Sequence, residues 1–385
     1  MLGLLGQLRQ KHTVSLLVMA DGPLCELAVS LGIPVRVVPL PCEWLMIGEQ
    51  QAGAAQLARM LLWRGYKLGG YVRELRTALR GLSPEIVHTH GIKAHLTGAM
   101  AKPDGAKLVW HVQDYLSIRR LSRRLLQLAV RRADLAFACS ESVGVDVQEC
   151  FPRLPVAVVP NPTDCEHFRP GSSQVDFDFI AGLAPATGTV VRVGLVATYA
   201  VWKGHRLFLD AMSRIVARFG SGAVRGYVVG GPIYRTAGRS QVTAAELVGY
   251  IKELKLNRVV GLVPFQADPV EAYRVLDVCV HASTAPEPFG LTITEAMACG
   301  RAVVAANAGG PAEIITHERD GLLYELGNPD ALAEAIIRLI ENAALRDQLG
   351  NAARETVTNR FQLSTATAKL LSTYQSLLGE RASTD

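Results

Sequence analysis

Short runs rich in Val, Leu and Ile recur along the whole chain, each bounded by turn-forming residues. Between them the apolar positions fall at helical spacing. In the first half the runs cover 13–19, 34–39, 85–90, 107–112, 134–139 and 155–160. In the second half they cover 190–197, 224–229, 258–262, 277–282, 302–305 and 321–324. Strands that alternate with helices predict repeated βα units and parallel sheets. Pro160-Asn161-Pro162 stops the last run of the first half. The stretch after it is polar, Gly- and Pro-bearing and weakly periodic, which suits a linker. The expected fold class is therefore α/β, with two doubly wound Rossmann-like domains. We place the first at 1–165, the linker at 166–188 and the second at 189–360. Residues 329–379 read as mainly helical.

The opening of the first domain departs from this scheme. A doubly wound domain begins with a strand that becomes central, followed by a glycine-rich turn. This chain begins with a predicted helix, Leu2–Gln10, that leads into the run 13–19. The first N-terminal strand and its loop are missing from the pattern. A gap inside a parallel sheet leaves backbone groups unpaired. Either the sheet closes up around the loss or the reading frame starts too late, and we expect the latter.

Composition and charge narrow the class. At 385 residues the chain is long for one core, and 49% hydrophobic against 19% charged residues supplies two buried sheets. The seven cysteines are scattered and form no Cys-x-x-Cys pair, which points to reduced thiols and a cytoplasmic setting. No apolar run is long enough to span a bilayer, and the N-terminus lacks the marks of a signal peptide. Residues 1–165 carry 19 Lys and Arg against 13 Asp and Glu, so the whole positive excess sits in that half. Part of it lies in 59–80. Another part lies in 116–132, which holds six Arg and no acid. There Arg120, Arg123, Arg124 and Arg131 stand at helical spacing opposite Leu121, Leu125 and Leu128. Such a face suits either an anionic bilayer surface, at the inner side of the cell membrane, or plain solvation. Nothing points to nucleic acid.

The chemistry concentrates in EPFGLTITEAMACG, residues 287–300. Gly290 opens a helix just after a strand, at the sheet edge where ligands bind. Gly290, Leu291 and Thr292 present backbone N–H groups at a helix N-terminus, which is a site for a diphosphate. Glu295, one turn further on, can accept from two neighbouring hydroxyls such as a ribose diol. Glu287 lies in the loop before the helix, nearer the place of a donor sugar. The segment GLVATYAVWKG (194–204) offers a second phosphate element ending in Lys203. Gly309 and Gly310 form a third turn where backbone can approach a ligand. Each alone is commonly an ordinary turn or a solvated carboxylate. The three in order, each after a strand, are a stronger signal.

These motifs, with VGLVATYAVWKGH, YVVGG and EPFGLTITEAMACGRAVVAANAGGPAEII, resemble family 4 of the glycosyltransferases, retaining enzymes of the two-domain GT-B fold. PEIVHTHG, VWHVQDY and RRADLAFACSESV extend the likeness, more weakly, into the first half. The resemblance implies two domains facing across a cleft, with a last helix in 361–385 packing back toward the first domain. It implies a UDP- or GDP-type nucleotide-sugar donor and a glycan or lipid-linked acceptor, as in cell-surface polysaccharide or lipopolysaccharide synthesis. In it, Glu287 meets the donor sugar and Glu295 holds the ribose. Lys203, Gly290, Leu291 and Thr292 take the diphosphate. No metal or other cofactor is implied. Relatives usually carry Arg where Thr198 stands, and many place a His just before Asp114, where this chain has Gln113. A catalytic or hydrogen-bonding role would then pass to His111. His90, Gly91, Thr198, Gly309 and Gly310 are expected to line the cleft.

His88, His90, His95 and His111 invite a metal reading, and His88 and His90 share one side of a strand end, but no carboxylate or Cys completes a spaced ligand set, so no metal site is expected. Cys299 reads as core rather than nucleophile. The absence of Gly-x-Ser-x-Gly and of a phosphate-binding Walker loop disfavours hydrolase and ATPase classes. Two rivals remain: a catalytically impaired nucleotide-sugar-binding relative, and a sugar-nucleotide epimerase of the same fold.

Overall fold

The computed structural model describes residues 2–45, 54–186, 188–232 and 240–379, and no side chain of 45 or 54–64. Arg59 and Arg64, part of the first basic segment, thus have side chains outside the described residues. Among the described residues twelve strands form, where the apolar runs predict them. The first six are β1 (Leu16–Val18), β2 (Val35–Val37), β3 (Ile86–His90), β4 (Lys107–Val112), β5 (Leu135–Ala138) and β6 (Val156–Val158). The second six are β7 (Val191–Val196), β8 (Val224–Val229), β9 (Val260–Val263), β10 (Val278–His281), β11 (Ala302–Ala306) and β12 (Leu322–Tyr324). Every strand pairing is parallel. That follows from the helices between them, which return the chain to the same end of the sheet.

The chain divides into two compact units, Met1–Pro160 with Leu363–Asp385, and Asn161–Gln362. The first unit holds two separate sheets, β1-β2 and β3-β4-β5-β6. No strand pairing joins the two sheets among the described residues. The unit's core joins Leu4 and Leu8 of the first helix to Val109, Leu135 and Phe137 of the larger sheet, and to Ala366 and Leu370 of the helix Leu363–Leu378. Apolar burial of this kind holds the chain's last helix to its first.

The second unit has one unbroken sheet in the order β12-β11-β10-β7-β8-β9. The chain runs outward from β7 through β8 to β9, then crosses to β10 on the other side of β7. The strand order thus reverses between β7 and β10, and a crevice opens beyond the carboxyl ends of such a pair. Residues 166–188, expected as a linker, are part of this unit. Phe177 is buried edge-on to Tyr227, and the Tyr227 hydroxyl donates to Asp178 at 2.7 Å. A polar, aperiodic stretch can still dock through one aromatic side chain.

The second basic segment forms the helix Arg120–Ala129, turned relative to its expected apolar face. Leu126 and Ala129 are buried, whereas Leu128 is 82% exposed. The sequence showed the amphipathic spacing but not which leucines the neighbouring helix Ile92–Ala101 would cover.

Candidate active site

Two loops meet where the strand order reverses. The loop after β7 runs from Ala197 into a tight turn, Val201–Lys203, and then Gly204 starts the helix His205–Phe219. The loop after β10 runs from Ala282 to Gly290, which starts the helix Leu291–Ala298. Gly204 has φ +72°, and a Cβ there would lie 1.7 Å from the Ala282 carbonyl oxygen. Only glycine permits this approach. The Thr284 amide donates to the Trp202 carbonyl at 2.8 Å, which ties the two loops a second time.

This seam sets Lys203 against Glu287. The Lys203 Nζ donates to both carboxylate oxygens of Glu287, at 2.8 and 2.7 Å. It also stands 4.0 Å from the Trp202 ring centroid, a cation–π contact. His281 and Ser283 complete the surround, with Nε2 3.2 Å and Oγ 3.1 Å from Glu287 Oε2. Burial alone would push the Glu287 carboxyl up. The His281 hydrogen bond and the Lys203 charge outweigh it and hold the group down at about 2. Glu287 is therefore a fixed anion, and its partner cation is held in the same bond.

Glu295 stands differently. Its Oε2 accepts from the Tyr273 hydroxyl at 2.7 Å. Burial raises its pKa to about 7; the Tyr273 bond opposes this without overcoming it, and Asp268 adds to the rise. The phenol is fully buried, so its orientation toward Glu295 is set by packing.

The remaining expected residues fall as follows. Gly290 takes φ +112° at the cap, and as first residues of their helix Leu291 and Thr292 have amides without intrahelical acceptors. Thr198 lies in the loop after β7 and is half-buried. Gly309 and Gly310 pack against the Glu287 loop: the Gly310 amide donates to the Glu287 carbonyl at 2.8 Å, and a Cβ on Gly310 would stand 2.2 Å from the Phe289 carbonyl oxygen. That glycine turn supports the loop, and the Gly310 amide is already engaged. His90, Gly91 and His111 belong to the first unit. Gly91, with φ +81°, starts the helix Ile92–Ala101. His111 is 2% exposed, and its Nδ1 lies 3.1 Å from His88 Nε2. The Glu287 side chain keeps 12% exposure. Cys299 is buried in core, where burial pushes its thiol up to about 12. His281, Ser283 and Tyr273 were not singled out from the sequence. The alternation of His281 and Ser283 at a strand end, both on the Glu287 side, was the signal available.

Two Rossmann-like units of parallel strands, with charged groups gathered at the reversal point of the second, are the architecture of the GT-B glycosyltransferases. Comparisons agree. The glycosyl transferases group 1 family matches residues 188–356, and glycosyltransferase family 4 matches 2–167. The lipopolysaccharide core biosynthesis mannosyltransferase LpcC of Rhizobium leguminosarum bv. viciae is 32% identical over 266 residues, covering 66% of this chain and 68% of that protein. The D-inositol 3-phosphate glycosyltransferase of Corynebacterium urealyticum is 25% identical over 397 residues, covering 95% and 86%. The crystal structure of Anabaena Alr3699/HepE in complex with UDP-glucose matches with a TM-score of 0.77 and 26% identity, over 97% of this chain and 94% of that one. The chain belongs to this family and is a glycosyltransferase.

Proposed function

We propose that the enzyme is a retaining glycosyltransferase that moves a sugar from a UDP- or GDP-type donor to a glycan or lipid-linked acceptor of cell-surface polysaccharide or lipopolysaccharide synthesis. The observation that carries this reading is the Lys203–Glu287 pair beside the N-terminus of Leu291–Ala298, at the point where the strand order reverses. A sugar diphosphate has the complementary charges. Its phosphates take the amides of Gly290, Leu291 and Thr292 and the Lys203 cation. Its ribose diol donates to Glu295, and its sugar hydroxyls donate to Glu287. During transfer the sugar–oxygen bond to the diphosphate breaks, and its electron pair leaves on phosphate. The acceptor hydroxyl oxygen forms the new bond to the same carbon, and its proton passes to the departing diphosphate oxygen. Stabilising the departing charge is the main catalytic contribution, and preorganised amides and a lysine supply it without metal.

HepE, whose structure holds UDP-glucose, supports the nucleotide-sugar donor. LpcC, named for lipopolysaccharide core synthesis, supports the acceptor class. The decisive experiment is calorimetric titration with UDP and GDP sugars, followed by the anomeric configuration of the transferred sugar by NMR. Binding of neither donor class, or an inverted product, rejects the reading.

A peripheral contact with anionic membrane is part of the same proposal. Ile118 and Leu128 are 71% and 82% exposed among the exposed Arg119, Arg120 and Arg124, and basic residues flanking apolar ones suit a charged bilayer surface. No helix among the described residues is long and apolar enough to cross a membrane. Co-sedimentation that is indifferent to anionic lipid content counts against the contact.

A further inference from the structure

The sequence offered four histidines here, His88, His90, His95 and His111, but no spacing that makes them a ligand set. The fold brings three of them together. In the parallel pairing of β3 and β4, His90 stands opposite His111, and His88 lies two residues before His90. Residues two apart on a strand share a face, and so do paired neighbours across strands. The backbone alone therefore sets three imidazoles on one face, at the carboxyl ends of the two strands. The rings are close: His88 stacks on His90 at 5.0 Å, and the His90 and His111 centroids are 4.4 Å apart. One ligand nitrogen from each of the three lies within 4.8 Å of the others.

We propose that His88, His90 and His111 form a binding site for a divalent transition-metal ion of the zinc class. The nitrogens of His88 and His111 stand 3.1 Å apart. A tetrahedral zinc ion, with bonds of about 2.0–2.1 Å, spaces its ligand nitrogens at about 3.3 Å, so this edge of the shell is already near its length. The set contains no carboxylate, and an all-imidazole set selects zinc, cobalt, nickel or copper over magnesium and calcium. The Nε2 of His111, the ring nitrogen turned away from His88, is buried and has no hydrogen-bond partner among the described residues, so Nδ1 is the nitrogen that would face the ion. The Tyr374 hydroxyl bonds Nδ1 of His88, an outer-shell partner of the kind that metal-bound histidines carry, while Nε2 is the ring nitrogen turned toward His111. Tyr374 comes from the helix Leu363–Leu378, so a bound ion would clasp that helix to β3 and β4.

The test uses the full chain after treatment with a chelator. Cobalt(II) is added first, because a low-coordinate site of nitrogens gives intense visible bands and the hydrated ion does not. Zinc(II) is then titrated with thermal unfolding as the readout, since an ion that binds only the native state raises Tm. We expect the intense cobalt spectrum and a zinc-dependent rise in Tm. Both should be lost in His111→Gln and in His90→Gln. Tyr374→Phe should weaken zinc binding about tenfold. His12→Gln, which alters an exposed imidazole, should behave as the parent does. If His111→Gln fails to fold, the half-buried His90 carries the test through His90→Gln. A pale aqua-type cobalt spectrum in the parent, or a zinc response that survives His90→Gln, overturns the site.

Discussion

The two glutamates of one short motif live in opposite electrostatic settings. Glu287 is ringed by donors, Lys203, His281 and Ser283, and is an anion at any physiological pH. Glu295 accepts from one neutral phenol, feels the Asp268 charge, and is raised by burial to about 7. Their side chains are chemically identical, so the surroundings alone divide the labour. A permanent charge suits the group nearest the reacting sugar. A carboxyl with a conditional charge suits a hydrogen-bonding role toward a neutral diol.

Removing the permanent charge should have the largest effect. Glu287→Gln should lower kcat on the order of a hundredfold or more while the chain stays folded, as initial rates and circular dichroism would show. A kcat near that of the parent would erase the distinction between the two carboxylates. Next comes Lys203→Ala. It leaves Glu287 with its hydrogen bonds but without its cation, and breaking such a mostly buried pair costs about 3 kcal/mol in urea unfolding. Donor affinity should fall as well.

The pH dependence of stability separates the two sites by sign. Glu295 is raised from 4.5 to about 7, so between those values the native chain keeps a proton that the unfolded chain has released. Stability should therefore fall as pH rises from 4.5 through 7, by on the order of 3 kcal/mol. Glu295→Gln should flatten that slope in melting curves between pH 5 and 8. Glu287 is depressed from 4.5 to about 2, so its contribution is complete above 4.5 and is lost as pH falls through 2. The smallest effect is expected from Thr198→Arg. A second cation in the loop after β7 should raise donor affinity severalfold, with a gain that shrinks in high salt.

The sequence carried the strands well because buried parallel strands need unbroken apolar runs, and such runs stand out between helical stretches. The glutamates and the glycine cap were equally visible, since helix-end chemistry is local. What escaped were relations across distance. Tyr273 reaches Glu295 from the helix Val270–Val275, and His111 joins His88 only through strand register. Leu126 is buried and Leu128 is exposed, a division that periodicity does not show. The separation of β1-β2 from β3–β6 is likewise a matter of which edges meet, and edges carry no sequence signature.

The missing Cβ of Gly204 makes residue 204 a zero-thickness spacer between two chain segments. Even an alanine would drive the loop that bears Lys203 away from the Ala282 carbonyl, beyond the tolerance of a 2.7 Å bond. The ammonium and the carboxylate are therefore positioned by one shared seam and travel together. Attempts to reshape sugar preference should vary the residues around this seam and leave its width untouched.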